Sequence, residues 1–323
     1  MADLDLPIEQ LRSFAGDVHV PADFDDFWSG TLATSRALRT PTAIGAAVVD
    51  LPHLKVNDLT FSGYDGHPIK AWFATPSRGE DLPVVVEFIG YGGGRGLPTE
   101  YSLLPAAGYA HLVMDNRGQG SEWGDGGDTP DPAGTGPSSP GFMTRGIESR
   151  ETYYFRRLIT DAALAIDAAR ELPGVDSQRI AVKGTSQGGG LAIAAAGLSE
   201  GLAAALIDVP FLCNIPRAIR MTDALPYSEI RRYLAVHRDR VEQAHRTLTY
   251  VDGVTLAARG TAPALWSVGI MDEVCPPSTV YSAYHAYAGP KEIVEYAFNG
   301  HDGGQHHQVA RHLRFLADAF SAI

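Results

Sequence analysis

The chain has 323 residues and 45% of them are hydrophobic, enough to bury a sizeable core and to exclude global disorder. Its formal net charge of -12 repels phosphate backbones and anionic lipid surfaces, which weighs against nucleic-acid and membrane partners. Only two cysteines occur, Cys213 and Cys275, far apart in sequence, so no disulfide framework is expected and both read as buried structural thiols.

The opening MADLDLPIEQLRSFAG carries neither a basic n-region nor an apolar core, and no stretch approaches the roughly 18 apolar residues of a membrane span. A cytoplasmic protein is therefore expected. Residues 23–38 predict a helix, because Phe24, Phe27, Trp28 and Leu32 recur at helical steps and Leu38 falls near the same face. Gly30 interrupts that pattern without ending it. Two strands, 56–62 and 69–75, flank a Tyr64-Asp65-Gly66 turn and predict an antiparallel hairpin.

Beyond this point strands alternate with helices. The runs 83–89, 110–115, 179–185, 203–208, 263–269 and 291–298 are nearly continuously apolar, as expected of strands buried on both faces. Between them, Tyr154, Leu158, Ala162, Ala165, Ile166 and Ala169 trace one helical stripe over 150–171. This rhythm predicts an α/β domain spanning 1–323, a mostly parallel twisted sheet with helices on both faces. An N-terminal helical extension occupies about 1–50, and a cap-like helical insertion about 210–260. Residues 120–149, rich in Gly, Pro, Ser and Asp, predict a long loop unable to bury a core. It reads equally as a surface excursion and as a wall of a site or subunit contact.

The most informative stretch is 179–197, where an apolar strand enters Gly184-Thr185-Ser186-Gln187-Gly188 and leaves as an Ala-rich helix. G-x-S-x-G between strand and helix is the pattern of a strained nucleophile turn, with small residues two before and two after the serine. A phosphate-binding loop is a poorer reading, since no Lys-Ser or Lys-Thr follows the last glycine. A serine hydroxyl needs a base and an orienting carboxylate, and on such sheets the chain order is Ser, acid, His. Asp272 stands directly after the strand 263–269 in a G-x-x-D-x-x-x-P setting, with Glu273 as competitor. His301 follows the last strand in a Gly-flanked loop, while His306 and His307 fall on the next helix. No H-E-x-x-H or Cys/His set suggests a metal. Backbone N–H donors for a developing oxyanion are expected at Gln187 and, in the glycine-rich stretch 90–96, at Tyr91.

Taken together these motifs resemble carbohydrate esterase family seven, the acetyl xylan esterases and cephalosporin C deacetylases of the α/β-hydrolase superfamily. The resemblance runs from Asp23-Phe24-Asp25-Asp26-Phe27-Trp28 to the His301 loop. It includes Arg117-Gly118-Gln119-Gly120, Gly184-Thr185-Ser186-Gln187-Gly188-Gly189 and Asp208-Val209-Pro210-Phe211-Leu212. It implies the α/β-hydrolase fold and a serine esterase acting on small acetyl esters. The matching triad is Ser186, Asp272 and His301, with Tyr91 and Gln187 as oxyanion donors. The resemblance further implies that Arg117 and Gln119 brace the site, that no cofactor or metal is needed, and that the copies assemble as a homo-oligomer, a ring-shaped hexamer. Two positions depart from the family pattern: Ile89 stands where His is usual, and Asp302 where Glu is usual. The rival readings are a peptidase or lactone hydrolase on the same fold, and a non-catalytic binding protein.

Overall fold

The computed structural model describes residues 5–133, 136 and 141–323. Among the described residues nine strands form one sheet: β1 (Ala43–Leu51), β2 (Leu54–Ser62), β3 (Pro68–Pro76), β4 (Leu82–Phe88), β5 (Ala110–Met114), β6 (Val175–Thr185), β7 (Ala204–Asp208), β8 (Ala264–Gly269) and β9 (Lys291–Tyr296). Their spatial order is β1-β2-β3-β5-β4-β6-β7-β8-β9. The strands β4 to β9 pair in parallel, and β1, β2 and β3 join antiparallel at one side. Each of the six predicted parallel strands is present within a few residues of its expected bounds.

Period-two alternation divides the strand side chains between the two faces. On one face Val84, Val86 and Phe88 pack into the main core with the helices Tyr154–Arg170 and Gln187–Leu198. On the other, Val85, Ala181, Ala204 and Leu206 meet Leu316 and Phe320 of the helix Gln305–Ser321. Helices on both faces explain why these strands are apolar throughout.

The N-terminal part differs from expectation. The predicted helix spans Phe24–Ala37 and buries Phe24, Trp28 and Leu32, but Leu38 lies beyond its end and is 48% exposed. Gly30 lies inside this uninterrupted helix, on a face where a Cβ would meet nothing within 4 Å. The expected hairpin is β2 and β3, yet β1 precedes them as an unpredicted edge strand. Its sequence AIGAAVVDL lacks alternation because both faces are largely open to solvent.

The loop between β5 and the helix Tyr154–Arg170 also differs. It was expected to bury no core, but Phe142, Met143 and Ile147 are buried in the main cluster. Residues 134–135 and 137–140 of that loop lie outside the described residues. Between β7 and β8 stand the helices Ile215–Met221, Tyr227–Val236, Val241–Leu248 and Gly253–Ala257, as the helical pattern of 210–260 predicted. Among the described residues no helix is long and apolar enough to cross a membrane. Cys213 and Cys275 are both free and buried.

Candidate active site

The carboxyl ends of β6, β8 and β9 converge on one set of side chains. Ser186 sits between β6 and the helix Gln187–Leu198 with φ 59° and ψ -119°, a backbone conformation that L side chains rarely adopt. Surrounding contacts hold it there. Its N–H donates to the Asp208 carbonyl at 3.0 Å, and its carbonyl accepts from Phe211 N at 2.9 Å. The turn leaves no room for a side chain two positions before or after the serine: a Cβ on Gly184 would fall 2.1 Å from the Gly188 carbonyl, and one on Gly188 would fall 2.1 Å from the Phe88 carbonyl. This is why small residues flank the serine.

Asp272 lies in the turn after β8, with 1% of its surface exposed. One carboxylate oxygen, Oδ1, accepts the N–H groups of Val274 and Cys275 at 2.8 and 2.9 Å. The other, Oδ2, is 2.8 Å from His301 Nδ1. His301 Nε2 is in turn 2.8 Å from Ser186 Oγ. The three predicted residues therefore meet in a continuous hydrogen-bonded line. Glu273 points to solvent, and His306 and His307 are exposed on the following helix. Asp302 accepts from Gly304 N at 3.0 Å and from Asn299 Nδ2 at 3.2 Å, bracing the turn that carries His301.

Gln187 is the first residue of its helix, so its N–H is one of the four that helix geometry leaves without an intrahelical partner. Tyr91 follows β4. The peptide that carries its N–H is fixed through the Gly90 carbonyl, which accepts from Asn116 Nδ2 and Gly93 N, both at 3.2 Å. The Ile89 carbonyl accepts from Asn116 Nδ2 and from Gln187 Nε2, again at 3.2 Å. At position 89 it is thus the backbone, common to every residue type, that joins these bonds.

A family model for acetyl xylan esterase (AXE1) matches residues 1–319. The chain belongs to the acetyl xylan esterase family. It is similar to the structure of an acetyl xylan esterase from Paenibacillus sp. R4, with 37% identity and a TM-score of 0.90, covering 97% of this chain and 99% of that one. Acetyl xylan esterase 1 from Thermoanaerobacterium sp. JW/SL YS485 is similar at 29% identity and TM-score 0.90, covering 98% and 99%. Acetyl esterase Axe7A of Xylanibacter ruminicola is 27% identical over 87% of this chain, and the match spans 63% of that longer protein. The architecture is the α/β-hydrolase fold.

In this acetyl xylan esterase family member, Arg117 is fully buried and bidentate to Asp161, at 2.5 Å from Nε and 2.7 Å from Nη2. Burial disfavours its charge, but Asp161 outweighs that and holds the guanidinium pKa above its ordinary value. Gln119 donates from Nε2 to Tyr154 Oη at 2.8 Å and to Gln187 Oε1 at 3.0 Å, while its Oε1 accepts from Gly92 N at 2.7 Å. It thereby links the Tyr91 loop to Gln187.

Several residues of the site were not found from sequence. Asn116 is fully buried and donates to three carbonyls of the Tyr91 loop. Glu229, from the helix Tyr227–Val236, accepts from the Tyr91 hydroxyl at 2.8 Å and from Met143 N at 3.0 Å. Burial raises the pKa of its carboxyl, despite the Tyr91 hydrogen bond. Asp208, whose carbonyl holds Ser186, has its carboxylate held by Ser267 Oγ at 2.8 Å and His312 Nε2 at 3.1 Å. The Asp208 motif was visible in sequence. Asn116 and Glu229 carry no local signal, because their partners are remote in the chain.

Proposed function

We propose that the protein is a serine esterase that removes acetyl groups from acetylated sugars, such as xylo-oligosaccharides, through an acetyl-serine intermediate. The observation that carries this reading is the hydrogen-bonded line from Asp272 through His301 to Ser186 in a member of the acetyl xylan esterase family. His301 Nε2 takes the Ser186 proton as Oγ attacks the acetyl carbonyl. The N–H groups of Tyr91 and Gln187 receive the oxyanion, and each such donor lowers the barrier by about 3 kcal/mol. As the tetrahedral intermediate collapses, the alcohol leaves with the proton from His301. Water then gives its proton to His301, attacks the acetyl-serine, and acetate departs with Ser186 reprotonated. Asp272 keeps the imidazole oriented and stabilises its charged form. Arg117 and Gln119 brace the surrounding loops. Cephalosporin C, another small acetyl ester, falls in the same substrate class.

We also propose that the copies associate as a homo-oligomer. The outer edge strand β1 exposes Ile44, Val48 and Leu51, an apolar edge of the kind that another chain covers. The free thiols of Cys213 and Cys275 fit a reducing cytoplasm.

The test is hydrolysis of a peracetylated methyl xyloside. Ser186→Ala is expected to lower kcat by about 10⁴-fold or more. Retention of most of the activity by that variant would sink the mechanism.

A further inference from the structure

The sequence has four tryptophans, and three are buried: Trp28 is 1% exposed, Trp72 8% and Trp266 0%. Trp123, in the loop after β5, is 52% exposed. One exposed apolar side chain is ordinary on a protein surface. This one, however, is held firmly. Its indole Nε1–H donates to the Tyr91 carbonyl at 2.6 Å. Its benzo ring lies against bare backbone: a Cβ on Gly93 would fall 2.4 Å from Cζ2, and one on Gly90 3.1 Å from the same atom. The two glycines form a shelf for the ring, and half of the side chain remains open to solvent.

The shelf is the loop that carries the proposed oxyanion donor. Tyr91 is shared, its N–H belonging to the site and its carbonyl to the indole. Beside the ring, the Glu122 N–H donates to the Gly92 carbonyl at 3.2 Å. The Glu122 carboxylate overlies Gly92, where a Cβ would fall 2.3 Å from Oε2, and it is exposed. A fixed, half-open π face and an exposed carboxylate therefore lie against the loop whose Tyr91 N–H is the proposed oxyanion donor.

A pyranose presents matching chemistry, with a flat face of C–H groups and a rim of hydroxyl donors. We infer that Trp123 and Glu122 form a sugar subsite for the leaving alcohol. The indole stacks on the C–H face of the pyranose, and Glu122 accepts a hydroxyl of the same unit. The inference rests on the acetyl-sugar reading above and names the residues that recognise the sugar. The alcohol half of the ester is held by interactions equal in ground and transition states, so their loss acts mainly on KM.

The experiment uses two acetyl esters that differ in the alcohol, ethyl acetate and a partially acetylated methyl xyloside with free hydroxyls. Trp123→Ala is expected to raise KM for the xyloside about tenfold more than KM for ethyl acetate, a difference typical of one aromatic contact. Trp123→Phe keeps an aromatic face and retains most of the xyloside affinity. Glu122→Gln raises KM a few-fold on the xyloside alone. Equal losses in kcat on both esters would mean that Trp123 only props the Tyr91 loop, and would overturn the inference. So would unchanged xyloside kinetics in Trp123→Ala. A second readout avoids turnover. In Ser186→Ala protein the single exposed indole should shift its emission to shorter wavelength when the xyloside is added, and Ser186→Ala/Trp123→Phe should lose that shift. Persistence of the shift in the double variant overturns the subsite. If the wild type cleaves ethyl acetate but leaves the xyloside intact, the acetyl-sugar reading itself fails, and the subsite with it.

Discussion

The two parts of the sheet are built under opposite constraints. From β4 to β9 the strands are parallel and enclosed by helices, and the loops at their carboxyl ends bring Ser186, Asp272 and His301 together. From β1 to β3 the strands are antiparallel, and the outermost is almost wholly exposed. In the parallel part each position is fixed twice, by the ladder and by packing on both faces, so a side chain at a strand end can be aimed accurately. The edge strand has a ladder on one side and solvent elsewhere. It can carry an interface but has little with which to hold reacting groups in register.

This contrast can be broken or sharpened by substitution. The largest effect is expected in the parallel part, at Asp272→Asn, which keeps the shape but loses the charge that orients His301. On the proposed mechanism kcat on an acetyl ester should fall by about 10³- to 10⁴-fold with the fold intact. A loss of tenfold or less, with unchanged thermal unfolding, would argue that His301 is oriented by something else.

Next is the tie between the two parts. Asp161 accepts both from Arg117 and from Tyr64 N, the latter at 2.8 Å in the turn between β2 and β3. Asp161→Asn leaves the buried guanidinium with only the more distant Asp131, 3.4 Å from Nη1, as counter-charge and should cost about 3 kcal/mol of stability, read by urea denaturation. If the cost were below about 1 kcal/mol, the two parts would be joined chiefly by apolar packing.

A smaller effect is expected on the back face of the parallel part. There Glu87 of β4 pairs with Lys183 of β6 and His111 of β5. Burial favours the neutral carboxyl, but the Lys183 charge and the His111 hydrogen bond outweigh it and hold Glu87 well below the usual carboxylate range. A depressed folded pKa means the stabilisation is present above the unfolded value of 4.5 and is lost as pH falls below it. Lys183→Met should therefore cost about 2 kcal/mol at neutral pH, and the gap to wild type should narrow as the pH falls through the acid range. Denaturation midpoints at several pH values measure this, and a gap independent of pH would contradict it.

The smallest effect is expected at the edge. Val48→Lys on β1 places a charge at a position already 52% exposed. Stability of the single chain should change by less than about 0.5 kcal/mol, and the rate on ethyl acetate hardly at all. Size-exclusion chromatography should show weaker association if β1 is part of a contact between copies.

Much of the parallel part was legible because burial on both faces writes long apolar runs, and because a strained serine turn demands Gly184 and Gly188. The same reasoning failed at β1, whose exposed positions impose no alternation. It also misjudged the loop after β5. Counting Gly, Pro and Ser hid the fact that Phe142, Met143 and Ile147 are placed to reach the core. Asn116, Glu229 and the Asp208–His312 pair were not read as parts of the site, since a polar contact between distant residues leaves no periodic trace.

The sequence by itself determined the alternation of strands and helices and the order of serine, acid and histidine along it, since both follow from local patterns of burial and turn chemistry. Only the tertiary structure decided which carbonyls Asn116 holds, where Glu229 meets Tyr91, and that Trp123 lies fixed and half-open against the Tyr91 loop. Those relations depend on distances across the packed molecule, which are set when loops remote in the chain close over the same edge of the sheet.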